Sequence, residues 1–229
     1  HRNWLQFTRQ LARQHPSWRF VLLDLPGHGD LAAASHEACS RPTSLYAAAK
    51  DLHDTVASQN DVFPGGWAAV HAAIGHSMGG RILLKLLDSF PEVAAPAPAG
   101  VRVDADTPGH TLRVATLDTM PGHFNYATKD SDQDGVSRVL RFVAALPSPL
   151  PSRAWLQQQC MEAGFSKGMA QWMGTNLSPE LTGSGLRLSF DVGAVKQLLE
   201  SHHSSDQWHV LRGPPAGCEL HAVLATRSS

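Results

Sequence analysis

Six consecutive residues, Gly75-His76-Ser77-Met78-Gly79-Gly80, constrain this chain more than any other feature. An apolar run, Trp67 to Ile74, precedes them after the breaker Pro64-Gly65-Gly66 and reads as a strand. Arg81, Ile82, Leu83, Leu84, Leu86 and Leu87 follow and predict a helix over 78–90, closed by Pro91. A strand that becomes a helix this abruptly has few backbone solutions. The residue at the bend is forced into a strained conformation, and small neighbours are needed for strand and helix to approach without clash. Gly75 and Gly79 flank the serine in those two places, and Gly80 adds a third small residue. Such a bend holds the Ser77 hydroxyl out of its own strand, which is one requirement for a nucleophile; a base that takes its proton is the other. Met78 opens the helix, so its backbone N–H would face an oxyanion developing at Ser77, aided by the helix dipole. The bland alternative is a glycine-rich connection with an incidental serine. A strand before and a helix after favour the nucleophile.

The surrounding pattern alternates. Trp4, Leu5, Phe7, Leu11 and Ala12 give helical spacing over 2–14, ended by Pro16. Arg19 to Leu25 is a short apolar run stopped by Pro26-Gly27, as expected of a buried parallel strand. Residues 44–59 predict a helix capped by Ser44, with Leu45, Ala48, Ala49, Leu52 and Val56 on one face. Residues 91–110, rich in Pro, Ala, Gly and Asp, read as a loop excursion before a strand from Thr111 to Leu117. Beyond Met120-Pro121-Gly122 the period changes: Val136, Val139, Leu140, Val143 and Leu146 form a helical stripe, with further helices near 152–163, 166–176 and 191–201. A strand-like run returns at Glu219 to Ala225. The expected fold class is therefore α/β, a mostly parallel sheet flanked by helices. Residues 1–133 and 209–229 are expected to form the core, and residues 134–208 a helical cap.

Asp24-Leu25-Pro26-Gly27-His28-Gly29-Asp30 together with Gly75-His76-Ser77-Met78-Gly79-Gly80 resembles the α/β-hydrolase superfamily. Leu117-Asp118-Thr119-Met120-Pro121-Gly122, Gly164-Phe165-Ser166 and Gln171-Trp172-Met173-Gly174-Thr175-Asn176-Leu177 are similar to a narrower branch of small esterase-like hydrolases. That branch includes bacterial esterases, a mitochondrial abhydrolase and plant organellar relatives. The resemblance covers nearly the whole chain and is weakest at 60–66, 91–110 and 178–186. It implies an α/β-hydrolase fold with a helical cap insertion and a serine nucleophile at Ser77.

In branch members the acid can follow the strand after the nucleophile helix, where Asp118 stands; a carboxylate at a strand's C-terminal edge is well placed to orient an imidazole. Asp118 bracing the turn Thr119-Met120-Pro121-Gly122 is the competing reading. Family members also begin with strands and a His-Gly oxyanion loop ahead of the Asn-Trp matched by Asn3-Trp4, and they place the catalytic histidine in a loop after a further strand. By that comparison the chain is expected to be incomplete at both ends, lacking the N-terminal strands and the C-terminal strand and helix. The catalytic His is then not in this chain, and residues 1–229 by themselves are expected to be inactive and poorly soluble.

Thirteen histidines offer no better base. His76 lies inside the turn, where packing beside Ser77 is the natural role; His221 opens a strand; His123 is too near Asp118 in sequence to serve. His202-His203-Ser204-Ser205-Asp206 reads as a solvated loop, not a metal site. Gly27-His28-Gly29 lacks the third glycine of a dinucleotide fingerprint. Cys39, Cys160 and Cys218 are widely spaced, odd in number and read as free thiols, in keeping with a reducing compartment. No cofactor or metal is implied. The net charge of -1 and the absence of a basic stripe argue against nucleic acid. No run of ~18 apolar residues suggests a spanning helix.

Trp155, Leu156, Met161, Phe165, Met169, Trp172 and Met173 give the expected cap an apolar character that suits a small acyl or aromatic ester, although most of them serve the cap's own packing. Two functions stand at this point. One is a serine ester or thioester hydrolase working through an acyl-Ser77 intermediate, placed inside the cell or in an organelle. The other is a non-catalytic α/β-hydrolase-fold protein that binds a ligand or partner and keeps the turn.

Overall fold

A computed structural model describes residues 4–29, 43–95, 111–123, 135–180 and 184–226. Its elements, in chain order, are α1 (Leu5–Gln14), α2 (Leu45–Ser58), β1 (Ala72–His76), α3 (Met78–Ser89), β2 (Leu112–Leu117), α4 (Val136–Ala144), α5 (Arg153–Glu162), α6 (Lys167–Thr175), β3 (Leu177–Pro179), β4 (Leu186–Leu188), α7 (Val192–Ser204), α8 (Trp208–Arg212) and β5 (Cys218–Val223). Short 3-10 turns occur at Gly66–Ala69 and Pro91–Ala94. Asn3, Asp30, Cys39, residues 96–110 of the expected loop excursion and Arg227-Ser228-Ser229 lie outside the described residues. Contacts divide the chain into two compact units, His1–Arg41 with Ala127–Val195 and Pro42–Tyr126 with Lys196–Ser229.

The second unit carries a three-stranded parallel sheet in the order β1-β2-β5. Ala72 pairs with Arg113 and His76 with Leu117 on one side of β2; Leu112 pairs with Cys218 and Leu117 with Val223 on the other. Parallel neighbours need a crossover connection, and α3 begins the one from β1 to β2. This helix is apolar on most sides, with Ile82, Leu83, Leu84, Leu86 and Leu87 all buried. It packs on β1, β2 and α2, whose Leu45, Ala48, Ala49 and Val56 close the core. Ser44 caps α2 as its sequence requires, its Oγ accepting the Ala47 N–H at 3.0 Å. Across the sheet the alternation is clear. Gly75, Val114 and Thr116 are buried on the helix side, whereas Ala72, Ile74 and His76 of β1 and Glu219, His221 and Val223 of β5 are exposed.

Sequence and structure part company before β1. The apolar run from Trp67 does not enter the sheet at once: Gly65 and Gly66 take left-handed φ values of 94° and 60°, and Gly66–Ala69 coils into a 3-10 turn. Trp67 Nε1 donates to the His53 carbonyl of α2 at 3.3 Å. The tryptophan is spent on the helix, and the strand starts only at Ala72.

In the first unit, α5 and α6 pack together. Each starts at a serine cap: Ser152 Oγ accepts from Trp155 N and Ser166 Oγ from Met169 N, both at 3.1 Å. Leu156, Cys160, Phe165, Ala170 and Met173 are buried, as are Val139, Leu140 and Val143 of α4. Phe142 meets Phe165 edge-on at 5.1 Å, and the Arg138 guanidinium lies 4.4 Å above the Phe165 ring. Met161 and Trp172 stay exposed.

Two expectations fail in this unit. Residues 19–25 form no strand and are exposed or half-buried throughout. Their composition favours a strand, but a strand exists only where a ladder partner is available, and among the described residues these have none. Residues 134–208 are expected to be helical, yet the stretch 177–188 holds the antiparallel pair β3–β4, with Leu177 opposite Leu188. The loop Pro26-Gly27-His28-Gly29 is pinned to residues 189–191: the Gly29 N–H donates to Ser189 O at 2.8 Å, the Asp191 N–H donates to Gly27 O at 2.7 Å, and His28 bridges to Phe190.

Candidate active site

Ser77 stands where β1 ends and α3 begins, at φ 50° and ψ -113°. Its N–H donates to the Leu117 carbonyl of β2 at 2.9 Å, and its own carbonyl accepts the Arg81 N–H at 3.1 Å. One residue thus closes the sheet ladder and opens the helix. That double duty is why its backbone leaves the ordinary regions. A serine at a helix N-cap usually bonds a following N–H through its hydroxyl; Ser77 makes no such bond, so its Oγ is not engaged in capping. Met78, half-buried, is the first residue of α3, and N–H groups in a first helical turn have no intrahelical acceptor.

The glycines do different jobs. A Cβ on Gly75 would sit 2.5 Å from the backbone C and O of Gly79 and 2.6 Å from Gly80 N, so strand and helix touch there with room only for hydrogen. A Cβ on Gly80 would meet Thr119 Oγ1 at 2.1 Å. One on Gly79 would meet nothing within 4 Å among the described residues. The steric demand therefore falls on Gly75 and Gly80, not on the outer glycine of the pentapeptide.

Asp118 follows β2 directly, is exposed, and has φ 47°. Its N–H donates to Val223 O of β5 at 2.7 Å. The β1–β2 register sets Ser77 and Asp118 at the C-terminal ends of adjacent parallel strands. They are the non-glycine residues with positive φ among the described ones. Two strained residues on neighbouring strand ends form a pattern typical of functional edges. Thr119, buried, ties the turns together, its Oγ1 lying 3.2 Å from the Ser77 carbonyl oxygen and 3.1 Å from that of Leu117.

Sequence reasoning passed over Arg81. It is fully buried on α3 at 0% exposure. Its Nη1 donates to Met120 O at 2.7 Å and Gly122 O at 2.9 Å, and its Nη2 to His202 O at 2.9 Å and Ser205 O at 2.7 Å. Gln207, also buried, donates its backbone N–H to Pro121 O at 2.8 Å and its Nε2 to Arg81 O at 2.9 Å. The available signal was a charged residue one turn after Ser77, directly ahead of the apolar run Ile82-Leu83-Leu84.

The histidines fall away from Ser77's role. His76 is exposed, with Leu117 as its register partner. His221 Nε2 lies 3.1 Å from Glu219 Oε1 on the exposed sheet face, and His123 Nδ1 lies 3.4 Å from the His203 carbonyl. His202, at 4% exposure, is held neutral, its pKa pushed down to about 4 by burial, the Arg81 charge and His203. Burial also lowers His203, against a raising contribution from Glu200. Burial raises the thiols of Cys160 and Cys218, the latter helped by Glu219, which is the opposite of activation. No group of three or more metal-ligating side chains occurs among the described residues. No helix among them is long and apolar enough to cross a membrane.

A parallel sheet with a strained serine between strand and helix defines a class before any comparison is made. The chain belongs to the alpha/beta hydrolase family, whose model matches residues 1–224, and its chemistry at that coarse level is hydrolysis. Among solved structures it is similar to a marine microorganism esterase, at TM-score 0.53 and 13% identity, over 80% of this chain and 69% of that one. That likeness is one of fold. A search of curated proteins returned no significant match.

Proposed function

We propose that this protein is a serine hydrolase of carboxylic esters or thioesters, acting through an acyl-Ser77 intermediate. The observation that carries the reading is Ser77 itself, strained at φ 50° between β1 and α3 with its hydroxyl not used as a cap. In the proposed reaction Ser77 Oγ attacks the acyl carbonyl carbon, and its proton passes to a histidine base. The carbonyl oxygen becomes an oxyanion that the Met78 N–H stabilises at the helix N-terminus. Collapse expels the alcohol or thiol, which takes the proton back, and water then releases the acid by the same route. Asp118 is the carboxylate that orients the imidazole. No residue in this chain is assigned as that base; by the family resemblance it lies in a loop after a further strand. Residues 134–208 are read as a cap on a core of 1–133 and 209–229. The similarity to an esterase and the cap's apolar side chains support an uncharged, apolar acyl substrate. The rival, a binding protein that merely keeps the turn, leaves the strain at both Ser77 and Asp118 without a use.

A fluorophosphonate probe applied to the full-length protein tests the proposal. Wild type should be labelled and Ser77→Ala should not. Equal labelling of the two would remove Ser77 as nucleophile, and no labelling of either would favour the binding protein.

A further inference from the structure

We infer that Arg81 and Gln207 are positioning residues for Asp118, holding its turn at a fixed distance from Ser77 by gripping the carbonyls of Met120, Pro121 and Gly122. The inference deepens the serine-hydrolase reading and rests on Asp118 being the orienting carboxylate.

Asp118 is exposed and left-handed, a conformation that a non-glycine residue abandons unless both flanks are fixed. Its N-terminal flank is fixed by the sheet, where Leu117 O takes the Ser77 N–H and the Asp118 N–H reaches Val223 O. Its C-terminal flank belongs to no strand or helix. There the three successive carbonyls of 120, 121 and 122 accept from Arg81, Gln207 and Arg81 in turn. Gly122 is seated as well, since a Cβ on it would come 2.7 Å from Trp208 Nε1.

The residue type at 81 follows from this task. A guanidinium presents planar, permanently charged donors in a fork, and here one arm serves two loop carbonyls and the other two carbonyls at the end of α7. The negative end of the α7 dipole suits that charge. A site needing only packing would carry leucine, as 83, 84, 86 and 87 do, because a buried charge is costly unless it is well hydrogen-bonded. Arg81 also reaches back, its main-chain N–H bonding Ser77 O. One residue is therefore tied through its backbone to the nucleophile turn and through its side chain to the acid turn. Gln207 completes the grip by bonding Arg81 O with its amide while its own N–H takes Pro121 O.

The test uses full-length protein and the Ser77 fluorophosphonate reaction, read as maximal labelling rate and as probe affinity, with melting curves to confirm folding. Arg81→Lys and Gln207→Met are each made alone and combined with Asp118→Asn. Arg81→Lys should slow the maximal rate by about tenfold or more, since small misplacement at a reacting centre carries large factors. Probe affinity should change little, and Gln207→Met should act in the same direction. With Asn at 118, both effects should largely disappear. Folded variants that label at the wild-type rate, or that are slowed equally with Asp or Asn at 118, would overturn the inference. If Arg81→Lys fails to fold, Gln207→Met provides the same comparison. Wild-type protein without Ser77-dependent labelling would sink the serine-hydrolase reading, a distinct outcome visible before any variant at 81 or 207 is made.

Discussion

At the scale of single residues, the turn at Ser77 separates glycines that look alike in sequence. Gly75 abuts the backbone of Gly79 and Gly80, so a methyl group there must push strand and helix apart. Gly75→Ala is expected to destabilise the protein by roughly 1–3 kcal/mol, the usual range for overpacking. Gly79 sits in the first turn of α3 with open space around its missing Cβ. Gly79→Ala should be neutral or stabilise by about 0.5–1 kcal/mol, because alanine is the better helix former. Urea unfolding midpoints of the two variants would check this, and equal losses at both positions would contradict the geometry described here. Thr119 belongs to the same scale. Its hydroxyl reaches the carbonyls of both Ser77 and Leu117, and nothing local in Asp118-Thr119-Met120 announces that.

At the scale of elements, α3 has Ser77 at its N-cap and the Arg81 side chain one turn later, and α7 supplies part of what Arg81 binds. Truncating Arg81 to Met would leave four carbonyls without their charged donor. Stability should fall by about 3–5 kcal/mol, as when one partner of a buried charged contact is lost, measured as a drop in unfolding free energy. The last turn of α7 also sets a pH dependence. His202 is neutral in the fold because its pKa is down at about 4, whereas an unperturbed histidine titrates near 6.5. Between these values the unfolded chain binds the extra proton, so stability is complete above pH 6.5 and is lost as pH falls toward 4. The steepest slope from this one proton is about 1 kcal/mol per pH unit. His202→Gln should flatten that part of the curve; an unchanged slope would show that His202 is not the group responsible. The helices of the other unit were legible in the sequence, and the boundaries at 153–162 and 167–175 fall within a residue of those expected. The failed strand at 19–25 shows the limit, since strands depend on a partner that local composition cannot name.

For the whole molecule, the sheet leaves one face open among the described residues. Ile74 is 45% exposed and Val223 54%, beside His76 and His221 on the same side. Apolar side chains next to strand edges promote association between copies. The protein is expected to self-associate through this face, and Ile74→Lys with Val223→Lys should lower its light scattering while leaving its circular dichroism unchanged. A monodisperse wild-type chain would contradict this.

The sequence by itself determined the α/β alternation, the place of the strained serine and the helix that follows it. Those features depend on local periodicity and on the steric needs of a few glycines, which a linear pattern records. It also nominated Asp118, through position at a strand end and through resemblance. Tertiary structure alone decided that Gly80 and not Gly79 bears the second close approach, and that the run from Trp67 is diverted onto α2 before the strand begins. It also decided that Arg81, in an apolar helix, turns its charge inward to hold the Asp118 turn. Each of these depends on what lies opposite a residue across the fold, through contacts 14 or more residues away, and no reading of neighbours along the chain contains that information.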